Sequence, residues 1–222
     1  MEPLFRNHSK GKDEVRKHIP LCLNTRPFSA AFREVLDFHL SDGAKILDPT
    51  PGKGYSWQQY RQDCEENAYI LFPRKQYSIH QDESFFTTST PLQSKYDAVY
   101  FDPPYFFGLG QTSDPREKDY GNYNHEKENL CKLLIVANIR FPQVLQKTGK
   151  LFFKYSDFFS VKDRCFHFCI PLWIPILNNF KVVDHYIIPH HRLTPTAWQV
   201  KNRPCGIVNY TYLSVLEVRN GQ

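Results

Sequence analysis

Two aspartates each close an apolar run and are each followed by proline. Asp48 follows "AKIL" and opens "DPTPGKG" (48–54), and Asp102 follows "DAVYF" and opens "DPPY" (102–105). A carboxylate that ends a buried strand points out of the carboxyl edge of the sheet, where open α/β sheets bind their ligands. At the first site Gly52 and Gly54 let a ligand approach the backbone closely, and a helix starting near Ser56 offers free N–H groups. The stretch is not a phosphate loop. Lys53 precedes Gly54, Tyr55 follows it, and no G-x-G-x-x-G is present. At the second site Pro103 and Pro104 stiffen the backbone and exclude helix. The Asp102 carboxylate and a fixed carbonyl can then both accept hydrogen bonds from one –NH2 group. Tyr105 sets an aromatic face beside them, so the arrangement suits an amine carried on a planar ring.

These residues need a sheet to position them, and the pattern supplies one. "RPFSAAFREVLDFHLSDG" has helical spacing, with Phe28, Phe32, Val35, Leu36 and His39 on one face, Ser29 as a cap and Gly43 at the stop. Strands are expected at 44–47, 68–72, 97–101, 150–156, 181–188 and 211–218. Helices are expected from Ser56, with Trp57, Tyr60 and Cys64 inward, and over 125–147, ending at Gly149. A kinked helix is expected in 163–179, broken by Pro171 and Pro175. Short apolar strands alternating with helices predict an α/β fold with a mostly parallel sheet and helices on both faces. The last two strands lack a helix between them and read as antiparallel.

The chain has 222 residues, 41% of them hydrophobic and 23% charged, which is enough for a sizeable core and argues against disorder. Residues 1–20 read as a flexible basic segment and 21–222 as one domain. The formal net charge of +5 permits a polyanionic partner without demanding one. No run is apolar enough for a membrane helix, no leader is legible, and the six scattered cysteines predict reduced thiols, hence a cytoplasmic protein. "CFHFC" (165–169), with His185, His190 and His191 later, has the residue types of a zinc site. Cys165 and Cys169 nevertheless lie in an apolar stretch and read as buried thiols, so no metal is expected.

"DPPY" (102–105) resembles the catalytic motif of the S-adenosylmethionine-dependent amino-methyltransferases of nucleic acids, and "DPTPGKG" resembles their Asp-Pro-x-x-Gly-x-Gly cofactor motif at Asp48, Pro49, Gly52 and Gly54. "LNTRPFSAAF" (23–32), with Thr25 and Phe28, is similar to the segment that closes over the cofactor's methionine end. The order of the three resembles the gamma arrangement of the DNA enzymes, and the likeness covers roughly residues 20–157.

The resemblance implies a Rossmann-like class I methyltransferase fold with an antiparallel final strand, and S-adenosylmethionine as cofactor. It implies methyl transfer to an exocyclic base amine, adenine N6 in DNA first. In that reaction Asp102 and the Pro103 carbonyl orient the amine and Tyr105 stacks on a flipped base. Two features depart from the family. Thr50-Pro51 between the ends of the cofactor motif is unusual. The family's acid after the second strand binds the cofactor ribose, whereas "AYILFPRKQ" ends with Pro73, Arg74 and Lys75 before Gln76. Either the acid comes from elsewhere, with Asp82 or Glu83 the candidates, or cofactor binding is altered.

Two polar stretches mix bases and aromatics and suit a polynucleotide. One holds Phe106, Phe107 and Tyr123, and the other His191, Arg192, Lys201 and Arg203. No large target-recognition domain fits this length, which leaves room for a specificity subunit. RNA is the second substrate class. The rival readings are a catalytically decayed, nucleic-acid-binding methyltransferase fold and an enzyme methylating a protein side-chain amide.

Overall fold

The computed structural model describes residues 23, 26–65, 74–87, 95–103, 127–160, 165–167, 173–189 and 210–219. The N-terminal segment 1–20, the 68–72 run, and the loops after Pro103 and after Pro189 lie outside them.

The described residues form a six-stranded sheet and a two-stranded one. In chain order the elements are α1 (Phe28–His39), β1 (Ala44–Asp48), a 3-10 turn (Tyr55–Trp57), α2 (Gln58–Glu65), β2 (Tyr77–Gln81) and β3 (Tyr96–Phe101). They continue with α3 (Lys127–Val144), β4 (Leu145–Tyr155), a hairpin of β5 (Phe158–Ser160) and β6 (Cys165–His167), a 3-10 turn (Ile174–Ile176), β7 (Phe180–Pro189) and β8 (Tyr210–Val218). The sheet order is β2-β1-β3-β4-β8-β7. Strands β2, β1, β3 and β4 are mutually parallel, and β8 lies antiparallel between β4 and β7. This is the expected Rossmann-like class I methyltransferase fold. The chain steps to one side of β1 for β2 and to the other for β3, so the topological switch point lies between β1 and β3.

Each sheet face buries its own core. Phe32, Val35 and Leu36 of α1 pack with Trp57 over Ile46, Ala98, Tyr100, Phe152 and Val215. On the other face Leu130, Leu134, Ala137 and Phe141 of α3 cover Leu47, Val99, Phe101, Leu151 and Phe153. The α1 stripe expected from the spacing is therefore the packed one. Pro142 sits inside α3, near its end.

Several local expectations are corrected. Pro27, not Ser29, is the α1 N-cap, and its carbonyl accepts from the Ala30 and Ala31 amides. Ser56 caps nothing. Its hydroxyl shares a 2.6 Å bond with the Tyr100 hydroxyl. Cys64 is exposed rather than inward. Gly149 lies within β4 rather than at a helix end, where β4 changes register against β3 between Tyr96/Leu145 and Ala98/Lys150. Where a kinked helix is expected over 163–179, the described residues 165–167 form β6 and 174–176 a 3-10 turn, and 163–164 and 168–172 lie outside the described residues. The described helices include none long and apolar enough to cross a membrane.

The largest correction concerns the strand beside β1. The residues paired in parallel with β1 are Tyr77–Gln81. Arg74 and Lys75 therefore precede that strand instead of ending it. They belong to a charged network under α1. The Lys75 ammonium donates to the carbonyls of Asp37 and Leu40, and Arg74 pairs with Asp37. The buried Arg33 guanidinium donates to the Lys75 carbonyl and sits over the rings of Tyr60 and Tyr77.

Candidate active site

Strand alternation sets the site. Side chains two apart share a sheet face, so Ile46 and Asp48, Tyr100 and Asp102, and Phe152 and Lys154 all project toward α1. Tyr100 pairs with Phe152 and Phe101 with Phe153. The next residues outward, Asp102 and Lys154, therefore stand side by side at the carboxyl edge, next to the switch point.

Asp48 is fully buried. Its Oδ2 accepts from the Trp57 indole N–H at 2.7 Å, and its Oδ1 accepts from the Thr50 amide at 3.1 Å. Burial pushes its pKa up to about 6. The Asp102 charge adds to the rise, against hydrogen bonds from Trp57, Thr50 and Gln81. The turn that follows needs positive φ at Gly52 (48°) and Gly54 (68°). A Cβ at Gly52 would meet nothing within 4 Å, so open space borders the bare backbone there. A Cβ at Gly54 would come within 2.6 Å of the Arg61 guanidinium. Pro49 is buried between them and the strand.

Asp102 is tied to this turn. Its amide donates to the Thr50 hydroxyl at 2.8 Å. Its Oδ2 accepts from the Lys154 ammonium at 2.6 Å and, more weakly, from the Tyr100 hydroxyl at 3.4 Å. Among the described residues its Oδ1 has no hydrogen-bond partner. Pro103 is buried beside it. The Lys154 ammonium also lies 4.6 Å above the Phe28 ring, which brings the start of α1 to the same spot.

Asp82 directly follows β2, and its amide donates to the Asp48 carbonyl at 3.1 Å. One carboxylate oxygen holds the Ser84 amide and hydroxyl, and the other has no partner among the described residues. An acid therefore does follow the strand next to β1.

The structure thus brings Asp48, Pro49, Gly52, Gly54, Phe28, Asp82, Asp102 and Pro103 to one edge. Thr25, Pro104, Tyr105, Phe106, Phe107, Tyr123, His191, Arg192, Lys201 and Arg203 lie outside the described residues. The flanks of the 190–209 stretch, Pro189 and Tyr210, are paired with each other at this same edge. Lys154, Thr50 and Tyr100 were not read from the sequence. The register of β3 on β4 is the signal that finds Lys154. The described residues contain no group of three or more His, Cys, Asp or Glu able to hold a metal ion.

No protein-family model matches the chain, and no curated protein matches it in sequence. Solved structures resemble it at low identity. One is 1,6-didemethyltoxoflavin-N1-methyltransferase of Burkholderia thailandensis, with 1,6-didemethyltoxoflavin and S-adenosylhomocysteine bound (14% identity, 93% of this chain and 80% of that one, TM-score 0.45). Another is a TehB-like SAM-dependent methyltransferase of Corynebacterium glutamicum (9% identity, 85% and 87%, TM-score 0.41). A third is TrmN of Thermus thermophilus (14% identity, 86% and 48%, TM-score 0.42). The fold assignment rests on the strand order and not on these likenesses.

Proposed function

We propose that the chain is an S-adenosylmethionine-dependent methyltransferase acting on an exocyclic amine of a nucleic-acid base, adenine N6 in DNA first. The observation that carries this reading is the pairing of the two strand ends across the switch point. A glycine turn after Asp48 and the Asp102-Pro103 peptide are joined by the bond from the Asp102 amide to the Thr50 hydroxyl.

The residues present fit the cofactor. Bare backbone at Gly52 borders open space, Gly54 packs tightly against the Arg61 guanidinium, and the Asp82 oxygen left over by Ser84 would accept from a ribose diol. Asp48 and Pro49 shape the turn, while Phe28 and Thr25 cover the methionine end. When bound, the cofactor supplies a methyl group on a sulfonium, a strong electrophile.

The chain's own task is then to aim a nitrogen lone pair at that methyl. Asp102 Oδ1 and the Pro103 carbonyl accept the two amine N–H bonds, which leaves the lone pair directed away from both. When the amine attacks that methyl, Asp102 Oδ1 would take the excess proton from the nitrogen. Tyr105 stacks on the base. Positioning and charge placement carry the catalysis. Phe106, Phe107 and Tyr123 receive the splayed base and its neighbours, and His191, Arg192, Lys201 and Arg203 bind phosphates.

The test is transfer of labelled methyl from S-adenosylmethionine to separate pools of unmodified DNA and RNA, followed by nucleoside mass spectrometry. N6-methyladenine in the DNA pool is expected. Its appearance in the RNA pool alone would move the substrate to RNA, and no methylated nucleoside in either pool would overturn the proposal.

A further inference from the structure

Among the described residues, Lys154 is a charged side chain beside Asp102 that the proposed chemistry does not use. An ammonium has three N–H donors. One goes to Asp102 Oδ2 at 2.6 Å, and the group rests against the Phe28 ring at 4.6 Å. It makes no further hydrogen bond among the described residues, and its side chain is only 17% exposed. A largely desolvated ammonium with a spare donor favours any acceptor that arrives beside it. Asp102 Oδ1, on the same carboxylate, is the free acceptor. A donor and an acceptor therefore stand side by side at the place where an amine must bind.

We propose that Lys154 is a specificity-determining residue. Its ammonium donates to the ring nitrogen adjacent to the reacting amine while Asp102 Oδ1 accepts an amine N–H, so that the pair reads an amino–imino edge. This deepens the function proposed above and rests on it. The substrates it fits carry –NH2 on a carbon that bears an unprotonated ring nitrogen, as at adenine N6 with N1 and cytosine N4 with N3, or one carbon away from such a nitrogen, as at adenine N6 with N7. An amine flanked by N–H, as on the Watson–Crick edge of guanine, sets donor against donor. An amine flanked by C–H leaves the ammonium unanswered. Donation to the ring nitrogen draws density from the amine, so Lys154 acts on recognition, and Asp102 acts on the transfer itself.

The experiment uses the polynucleotide methylated in the transfer assay. It is recopied with 1-deazaadenine or 7-deazaadenine in place of adenine, or with 3-deazacytosine if cytosine carries the mark. For the wild type, one analogue should lower kcat/KM about tenfold or more, the loss of one charge-assisted hydrogen bond. Lys154→Met should be slow on the normal base and indifferent to the analogue within about twofold. Lys154→Arg, which keeps a donor, should regain part of the discrimination. Unchanged Tm and S-adenosylhomocysteine affinity would show that the variants are folded. If Lys154→Met pays the same analogue penalty as the wild type, or if the wild type pays none, Lys154 is only the ion-pair partner of Asp102 and the inference fails. A wild type that methylates no nucleoside overturns the underlying function and this inference together.

Discussion

The Asp102 amide donates to the Thr50 hydroxyl across 52 residues of sequence, at 2.8 Å. That bond joins the turn after β1 to the end of β3 on opposite sides of the switch point. A shift in the glycine turn is thereby felt at the proposed catalytic carboxylate.

Thr50→Val keeps the shape and removes the acceptor. A half-buried amide left without its partner should cost about 1–3 kcal/mol of stability. Thermal melting checks this, with a fall of roughly 2–4 °C per kcal/mol expected at this chain length. Transfer should fall more than cofactor affinity, because the bond fixes Asp102 rather than the cofactor. Thr50→Ser should restore both. A Val variant with normal transfer would show that the tie is idle.

Asp48 makes the fold sensitive to pH. Its pKa is raised from the ordinary 3.8 to about 6, so the folded chain binds this proton more tightly than the unfolded chain does. The stability this group contributes is present in full below pH 3.8 and is lost as pH rises through about 6. Relative to Asp48→Asn, the wild type should lose roughly 3 kcal/mol between about pH 4 and about pH 7, at about 1.4 kcal/mol per unit. Denaturant unfolding of both proteins across that range checks the difference. A difference that stays flat, or one in which the wild type gains on the variant as pH rises, contradicts the assignment.

Asp82 separates two roles. Asp82→Ala removes both the Ser84 turn bonds and the second carboxylate oxygen, whereas Asp82→Asn keeps an acceptor for the turn. Calorimetry with S-adenosylhomocysteine should show affinity lowered about tenfold in the Ala variant and less in the Asn variant. Equal affinity in all three proteins would remove Asp82 from the cofactor site.

Gly52 offers a steric test. Its Cβ position faces open space, so Gly52→Ala strains φ but its methyl strikes no protein atom. Cofactor affinity should drop far more than melting temperature. If the two change in proportion, the space beside Gly52 is not a binding cleft.

Some of this organisation was legible and some was not, for identifiable reasons. Asp48 and Asp102 could be placed because each ends an apolar run, and a buried parallel strand announces itself by that run. β2 could not. "YSIHQ" lies at the described sheet margin with much of its surface exposed, so it lacks a continuous apolar signal, and the nearby "AYILF" drew the assignment instead. Arg74 and Lys75 thereby read as the residues that follow the strand beside β1, a place that Asp82 holds. Ser29 and Ser56 have the composition of caps. Yet Pro27 already supplies the α1 carbonyl, and Ser56 is engaged by Tyr100 from another strand. Lys154, inside "FFKYS", looks like any polar residue alternating along a strand. Its meaning comes from the β3–β4 register, which no local pattern encodes.

The most direct test of the central claim is single-turnover methyl transfer by Asp102→Asn beside the wild type, with S-adenosylhomocysteine affinity measured on both. The account predicts transfer reduced at least about 100-fold and affinity unchanged within about twofold, since the carboxylate acts on the amine and not on the cofactor. Transfer retained within about threefold would contradict it and would take the catalytic role away from Asp102.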